Sequence, residues 1–435
     1  MSMPFILGAA SPISVDEGSF MLIVVASALA AIAATAVGLR VPFPVVVLEL
    51  VLGIIIGPHV LGVAQPDRFI EFFAKLGLGM LFFFAGYEID FVRIRGRPLR
   101  LGAWGWLLSL VLAYSIGGLL ALAGVVVSLV YTGSATVTTA IGMLIPILSD
   151  AGEMRTRFGT YLLGAGAIGE FGPLLLITLV LSTGGSLKSA VILVAFIILA
   201  VAAALVTVGS LPFGWAALER TIESSSQLAV RLAVVLIFAL VALAAKLGLD
   251  LLLGGFAAGI IARLTLRGRE VSVFESKLTA IGYGFLIPFF FVVSGMQFDL
   301  NALIGSAAGL LKLPLFVALF FVVRGVPALV LYRGVVVDAR DRFSLAFFCS
   351  TELPLVVAIT TIAVAAGKMR PSTSAALVGA GIVSTLVFPL VGLRLRAGRA
   401  AADLEDYVGD SPDLEARVVD HAAPAELLDR ADHYQ

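Results

Sequence analysis

Apolar runs long enough to cross a lipid bilayer follow one another almost without pause from Phe20 to about Leu395. Of the 435 residues, 60% are hydrophobic and only 13% are charged, and the mean hydropathy is +1.08. No soluble globular domain has this composition, so the fold class expected is an all-α polytopic membrane protein. Spans are expected at 19–38, 43–63, 72–90, 101–124, 127–149, 158–182, 187–211, 228–247, 249–266, 278–298, 304–332, 343–367 and 372–394. About thirteen transmembrane helices put the two termini on opposite sides. Asp16 and Glu17 precede the first run where a basic region would stand in a cleavable signal, so none is expected. A single cysteine, Cys349, excludes an intrachain disulfide framework and any cysteine-rich metal site.

Lysine and arginine set the orientation. Nineteen lie in one set of connections, including Arg93, Arg95, Arg97 and Arg100, then Arg263, Arg267, Arg269 and Lys277, then Arg394, Arg396 and Arg399. Seven lie in the other set: Arg68, Lys75, Lys188, Lys246, Lys312, Lys368 and Arg370. The bias places the N-terminus outside and the C-terminus in the cytoplasm, in a membrane of the bacterial inner (plasma) type. A transmembrane domain over 1–395 is followed by an acidic tail over 396–435, expected to be cytoplasmic and solvated, with short helices near Leu414 and Leu427.

One charge interrupts the sixth span. Glu170 stands mid-way along Phe158 to Leu181, the only charge in 24 residues. At about 1.5 Å per residue the stretch spans a hydrocarbon core of roughly 30 Å. A carboxylate at that depth costs about 2.5 kcal/mol or more, so it is expected to bind a cation, carry a proton, or both. Two further stretches look alike. Phe84-Ala85-Gly86 in span 3 aligns with Val293-Ser294-Gly295 in span 10 at an offset of 209. Gly53-Ile54-Ile55 in span 2 aligns with Gly259-Ile260-Ile261 in span 9 at an offset of 206. The offset maps spans 1–6 onto 8–13, giving repeat one over 19–182, a linker span over 187–211 and repeat two over 228–395. A shift of seven spans inverts the topology, an arrangement common in secondary transporters. Corresponding polar breaks fall at Ser134, Thr136, Thr138 and Thr139 in span 5 and at Cys349, Ser350, Thr351 and Glu352 before Pro354 in span 12. They predict two discontinuous helices crossing near mid-membrane.

Several motifs in this order resemble the monovalent cation/proton antiporters, in particular the branch of Kef-type and bacterial sodium/proton exchangers. They are Leu52-Gly53-Ile54-Ile55-Ile56-Gly57-Pro58, Gly86-Tyr87-Glu88-Ile89-Asp90, Ser149-Asp150-Ala151-Gly152-Glu153, Gly164-Ala165-Gly166-Ala167-Ile168-Gly169-Glu170, Gly254-Gly255-Phe256-Ala257-Ala258-Gly259 and Phe291-Val292-Val293-Ser294-Gly295-Met296. The resemblance implies a core domain with crossed broken helices, a dimerisation domain, a homodimer and elevator-type alternating access. It also implies that the span-6 carboxylate binds cation and proton competitively. Members of the family usually carry two adjacent acidic groups, or Asn then Asp, in span 6. Here Gly169 precedes Glu170, and no lysine stands in span 10. Both departures point to electroneutral one-for-one exchange.

Such exchange needs a carboxylate that holds either a proton or Na+ or K+, and free Glu, near 4.3, is moved toward neutrality by desolvation. Alkali cations want oxygen ligands. Glu170 is the candidate cation (metal) and proton site, with Ser134, Thr136, Thr138, Thr139 and unwound carbonyls as further donors. Arg324, mid-span, is expected to be a structural counter-charge; Glu352, Glu170 or a broken-helix C-terminus could partner it. Glu352, with Thr351 beside it, is expected to offset half-helix dipoles where the breaks cross. Glu49 and Glu88 are secondary candidates, Glu88 being placed with Asp90 at the interface beside Arg93 to Arg100. His59 closes a span on the outer side and could tune a pH response. No cofactor, enzymatic motif or nucleic-acid partner is expected; lipid, monovalent cations and protons are the partners. A cation channel or non-exchanging sensor on the same scaffold, or a transporter of another solute, remain as alternative readings.

Overall fold

A computed structural model of the chain describes residues 15–38, 44–88, 91–181, 227–247, 251–265, 271–305 and 307–399, with isolated positions between 191 and 202. The linker span at 187–211, but for those positions, and the acidic tail from 400 onward lie outside the described residues, as do Arg40, Asp90, Lys188, Arg220, Arg267 and Arg269. Among the described residues every regular element is helical, and seven helices are long and apolar enough to cross a membrane.

Helices α1 (Glu17–Gly38), α2 (Val45–Ile56) and α3 (Arg68–Tyr87) open the chain. Asp67 caps α3, accepting from the Ile70 amide at 2.7 Å, and its other oxygen accepts from the Asp16 amide at 2.7 Å. The second span is shorter than its apolar run, because Gly57 and Pro58 end α2. Next come α4 (Arg97–Leu122), α5 (Leu129–Ala135), α6 (Ile141–Asp150) and α7 (Arg157–Leu181). The second half holds α8 (Leu228–Lys246), α9 (Leu251–Thr265) and α10 (Val271–Ile281). A π turn, Gly282–Leu286, joins α10 to α11 (Ile287–Met296). A second π turn, Phe321–Gly325, joins α12 (Ala307–Phe320) to α13 (Val326–Leu331). Each π turn is followed two residues later by a proline, Pro288 or Pro327, whose missing N–H cannot close the regular ladder. The chain then forms α14 (Ala339–Cys349), α15 (Pro354–Ala365) and α16 (Pro371–Arg396).

Contacts run chiefly within two groups of helices. One comprises α1–α3 and α8–α11, with α3 packed on α9 and α2 on α11. These pairs approach backbone to backbone. A Cβ on Gly259 would lie 2.7 Å from the Tyr87 amide nitrogen, and one on Gly295 2.9 Å from that of Ile54; small residues are what allow membrane helices to come so close. The other group comprises α4–α7 and α12–α16, where α4 lies on α7 and α12 on α16. Outward faces carry large apolar side chains, such as Met21, Leu29 and Ile32 on α1 and Trp104, Val111 and Leu119 on α4, as surfaces facing hydrocarbon do.

Spans 5 and 12 are both interrupted, α5 from α6 by Thr136–Ala140 and α14 from α15 by Ser350–Leu353. Pro354 begins α15, and a run of β-branched threonines separates α5 from α6. The two breaks are hydrogen-bonded to one another, Ala140 N donating to the Thr351 carbonyl at 2.8 Å.

Candidate ion-binding site

Glu170 sits in the middle of α7, 4% exposed. Its carboxyl faces the backbone amides of Ile141 and Gly142, at the first turn of α6. A half-helix start offers unpaired N–H groups and the positive end of its dipole. One carboxyl oxygen, Oε2, is enclosed and has no hydrogen-bond partner. Uncompensated buried acceptors are costly and mark a place where a proton or cation can bind.

Gly169 is a packing necessity. Its carbonyl accepts from Thr139 N at 3.0 Å. A Cβ there would lie 2.7 Å from Thr139 Oγ1 and would strike the Arg324 guanidinium. Arg324 occupies the second π turn and is 4% exposed. Its Nε and Nη2 donate to Thr139 Oγ1 at 2.9 and 2.7 Å, Nη1 to Ser109 Oγ at 3.3 Å, and Nη2 to the Ala165 carbonyl at 3.4 Å. Thr139 Oγ1 in turn donates to the Cys349 carbonyl at 2.6 Å, at the end of α14. Hydroxyls and carbonyls thus hold the arginine, and Glu352 acts on it through its field. The guanidinium ties α4, α7 and both broken helices together.

Glu352 is wholly buried in the span-12 break. Its Oε2 accepts from Thr138 Oγ1 at 3.3 Å, Oε1 has no partner, and its amide donates to Ser384 Oγ at 3.1 Å. The other hydroxyls point elsewhere. Ser134 pairs with Tyr114 at 3.2 Å, Thr136 bonds the Gly133 carbonyl at 3.0 Å, and Thr351 bonds the Phe347 carbonyl at 3.3 Å.

Glu88 is drawn inward from the interface expected for it. Its Oε2 is enclosed and unpartnered, and a Cβ on Gly142 would come within 3.8 Å of it. It lines a cavity of about 10 Å³ with Ile141, Ile145, Leu163 and Ala167, room for roughly one water. Tyr283, in the first π turn, is the residue sequence reasoning missed. Its hydroxyl is buried without a partner and feels both Glu88 and Glu170. The glycines flanking it, next to Pro288, were the available signal. Glu49 is buried on α2, whose neighbours are α1, α11 and α16; it stands apart from this cluster. His59 lies 3.9 Å from Asp299 at a half-exposed rim.

A separate cleft runs between the two helix groups. One part, about 370 Å³, lies among α3, α9, α11 and α15. It adjoins a second of about 440 Å³ that reaches His59 and Asp299. Ser294, Gln297, Val357 and Thr361 line both, and neither reaches Glu170.

The transmembrane sodium/hydrogen exchanger family model matches residues 24–393. The chain belongs to this sodium/hydrogen exchanger family. Its members are secondary transporters, not enzymes. The chain is 26% identical over 370 residues to YjbQ of Bacillus subtilis, a match covering 81% of the chain and 59% of that protein. It is 27% identical over 271 residues to GerN of Bacillus cereus, named a Na+/H+–K+ antiporter, covering 61% of the chain and 68% of GerN. In fold it is similar to the sodium proton antiporter MjNhaP1 of Methanocaldococcus jannaschii. There the TM-score is 0.61 and the identity 17%, and the match covers 89% of this chain and 98% of that one.

Proposed function

We propose that this exchanger-family chain exchanges Na+ or K+ for protons across the bacterial inner membrane, with Glu170 binding cation and proton in turn. The observation that carries this reading is the enclosed, unpartnered Oε2 of Glu170 at the start of half-helix α6. A proton would satisfy that oxygen. A partly dehydrated alkali cation would satisfy it too, with neutral oxygens such as Thr138 Oγ1 and loop carbonyls completing its shell. Both cannot be there at once, which couples the two fluxes. One carboxylate per cation makes the exchange electroneutral, one for one. Potassium is kept as a substrate because GerN is named for it.

Alternating access proceeds by elevator-type movement of the α4–α7 and α12–α16 group against the other. The cleft between the groups and the near-absence of free volume beside Glu88 support this. The inverted repeat is supported by reciprocal packing: Gly53 of α2 meets α11 beside Gly295, while Gly259 of α9 meets α3 beside Gly86. The apolar outer stripes of α1 and α8 suit lipid or a second copy in a homodimer. Arg324, Thr139 and Glu352 hold the crossing of the broken helices.

Proteoliposomes carrying an imposed pH gradient test the proposal. Adding Na+ or K+ should release protons with the wild type, and Glu170→Gln should abolish the response. Exchange by that variant at the wild-type rate would sink the assignment. Glu88 supports a second reading, in which two carboxylates meet at α6 and two protons move per cation. An imposed membrane potential then changes the rate, whereas one-for-one exchange ignores it.

A further inference from the structure

Lys312 is a buried cation that the exchange chemistry does not use. It lies near the start of α12, 7% exposed, and its Nζ donates to Thr373 Oγ1 at 2.9 Å. A lysine ammonium has three donors, so two are left for something else. Arg370 stands close enough for its like charge to act on Lys312. Its Nη1 donates to the Gly124 carbonyl, in the loop after α4, at 3.3 Å. Neither cation has a carboxylate within 4 Å among the described residues. The positive end of α16, a 26-residue helix that begins at Pro371 without a side-chain cap, adds to the same potential.

These two cations line one cavity of about 580 Å³, whose other walls are Ala123, Gly124, Val125, Leu311, Pro314 and Leu315. The surroundings are exposed and apolar. Leu311 is 73% exposed and Leu122, at the end of α4, is 87% exposed. A soluble anion would gain little from walls of this kind. A molecule with a negative head and an apolar body would match both parts.

We propose that this groove between α4, α12 and α16 is a binding site for the phosphate headgroup of an anionic phospholipid. Lys312 and Arg370 hold the phosphate, and the acyl chains lie along Leu311, Leu315 and the apolar face of α4. On the orientation expected from the lysine and arginine bias, the lipid comes from the outer leaflet. It bridges helices of the group that carries Glu170, whereas α1 and α8 belong to the other group. The site does not depend on the exchange reading, since the binding assay below requires no transport.

Native mass spectrometry of the purified full chain, with phosphatidylglycerol or phosphatidylcholine of identical acyl chains, tests it. Each interfacial cation favours an anionic lipid by about fivefold, so the wild type should retain phosphatidylglycerol roughly 25-fold better. Arg370→Gln, at an exposed position, should cut that preference about fivefold, and Lys312→Arg should keep it. Equal retention of the two lipids by the wild type, or an unchanged preference in Arg370→Gln, would overturn the site. In a parallel thermal-shift arm, inorganic phosphate should give no stabilisation. Protection by phosphate equal to that by phosphatidylglycerol would mean a free-anion site and overturn the lipid assignment.

Discussion

Gly169 and Glu170 are neighbours in sequence with opposite reasons to be what they are. Glu170 was legible as a lone charge in an apolar span, but its surroundings were not. Gly169 looked like a missing second acid, whereas the fold gives a steric reason for it, since Thr139 and Arg324 fill the space of any side chain. Gly169→Ala should therefore destabilise the protein by about 1–3 kcal/mol, the usual cost of overpacking, read as a lower melting temperature in detergent. Gly169→Asp should do worse, instead of adding a second proton site. Glu88 makes the converse case. Sequence placed it at an interface among arginines, yet one of its oxygens ends beside α6. If it serves the ion, Glu88→Gln should slow cation-driven proton flux at least tenfold while leaving the melting temperature unchanged; wild-type flux would make it a structural group.

At the level of helices, the cytoplasmic ends on the proposed orientation are bound by a buried ionic cluster. Arg396, ending α16, grips Glu153 in bidentate fashion at 2.9 and 2.7 Å and reaches Asp341 of α14 at 3.2 Å. Its guanidinium lies 4.3 Å from the centre of the Phe158 ring. The loop between α6 and α7 is thereby fastened to both α14 and α16. Removing Glu153 takes away two short charge-assisted hydrogen bonds and leaves the buried Arg396 on Asp341, so Glu153→Gln should cost about 1.5–3 kcal/mol. The double change Glu153→Gln with Arg396→Gln should cost less than the sum of the singles, as a double-mutant cycle on melting would read. Glu153 belonged to a recognised motif, but its partner 243 residues away could not be read from spacing. Nearby, the Arg399 guanidinium beside Asp338 holds its carboxyl below the usual range, helped by the Arg340 amide. With the folded pKa lowered, the pair stabilises at neutral pH and fades as pH falls through that lowered value. The stability gap between wild type and Asp338→Asn should accordingly narrow in acid, as pH falls below the free aspartate value of about 3.9.

For the whole molecule, the interrupted spans 5 and 12 were visible because each break carries residues that a membrane helix avoids. Boundaries were less so: α2 stops at Ile56 because a Gly-Pro pair ends it, although the apolar run continues. Orientation rests on the arginine and lysine bias alone and can be checked by labelling. With Cys349 replaced by alanine, a single cysteine at His59→Cys should react with an impermeant thiol reagent in intact cells. One at Arg340→Cys should react only after permeabilisation. The reverse pattern would invert the topology.

Hydrophobic period and charge placement determined by themselves that the chain crosses a membrane many times, which spans are broken and where an intramembrane carboxylate sits. These are local properties, set by the transfer of successive segments into hydrocarbon. Tertiary structure alone decided the partners: Thr139 and Ser109 for Arg324, Thr138 for Glu352, and Glu88 and Tyr283 as neighbours of Glu170. Those meetings depend on how distant helices cross, and crossing is governed by glycine contacts and hydrogen-bond geometry that no single segment encodes.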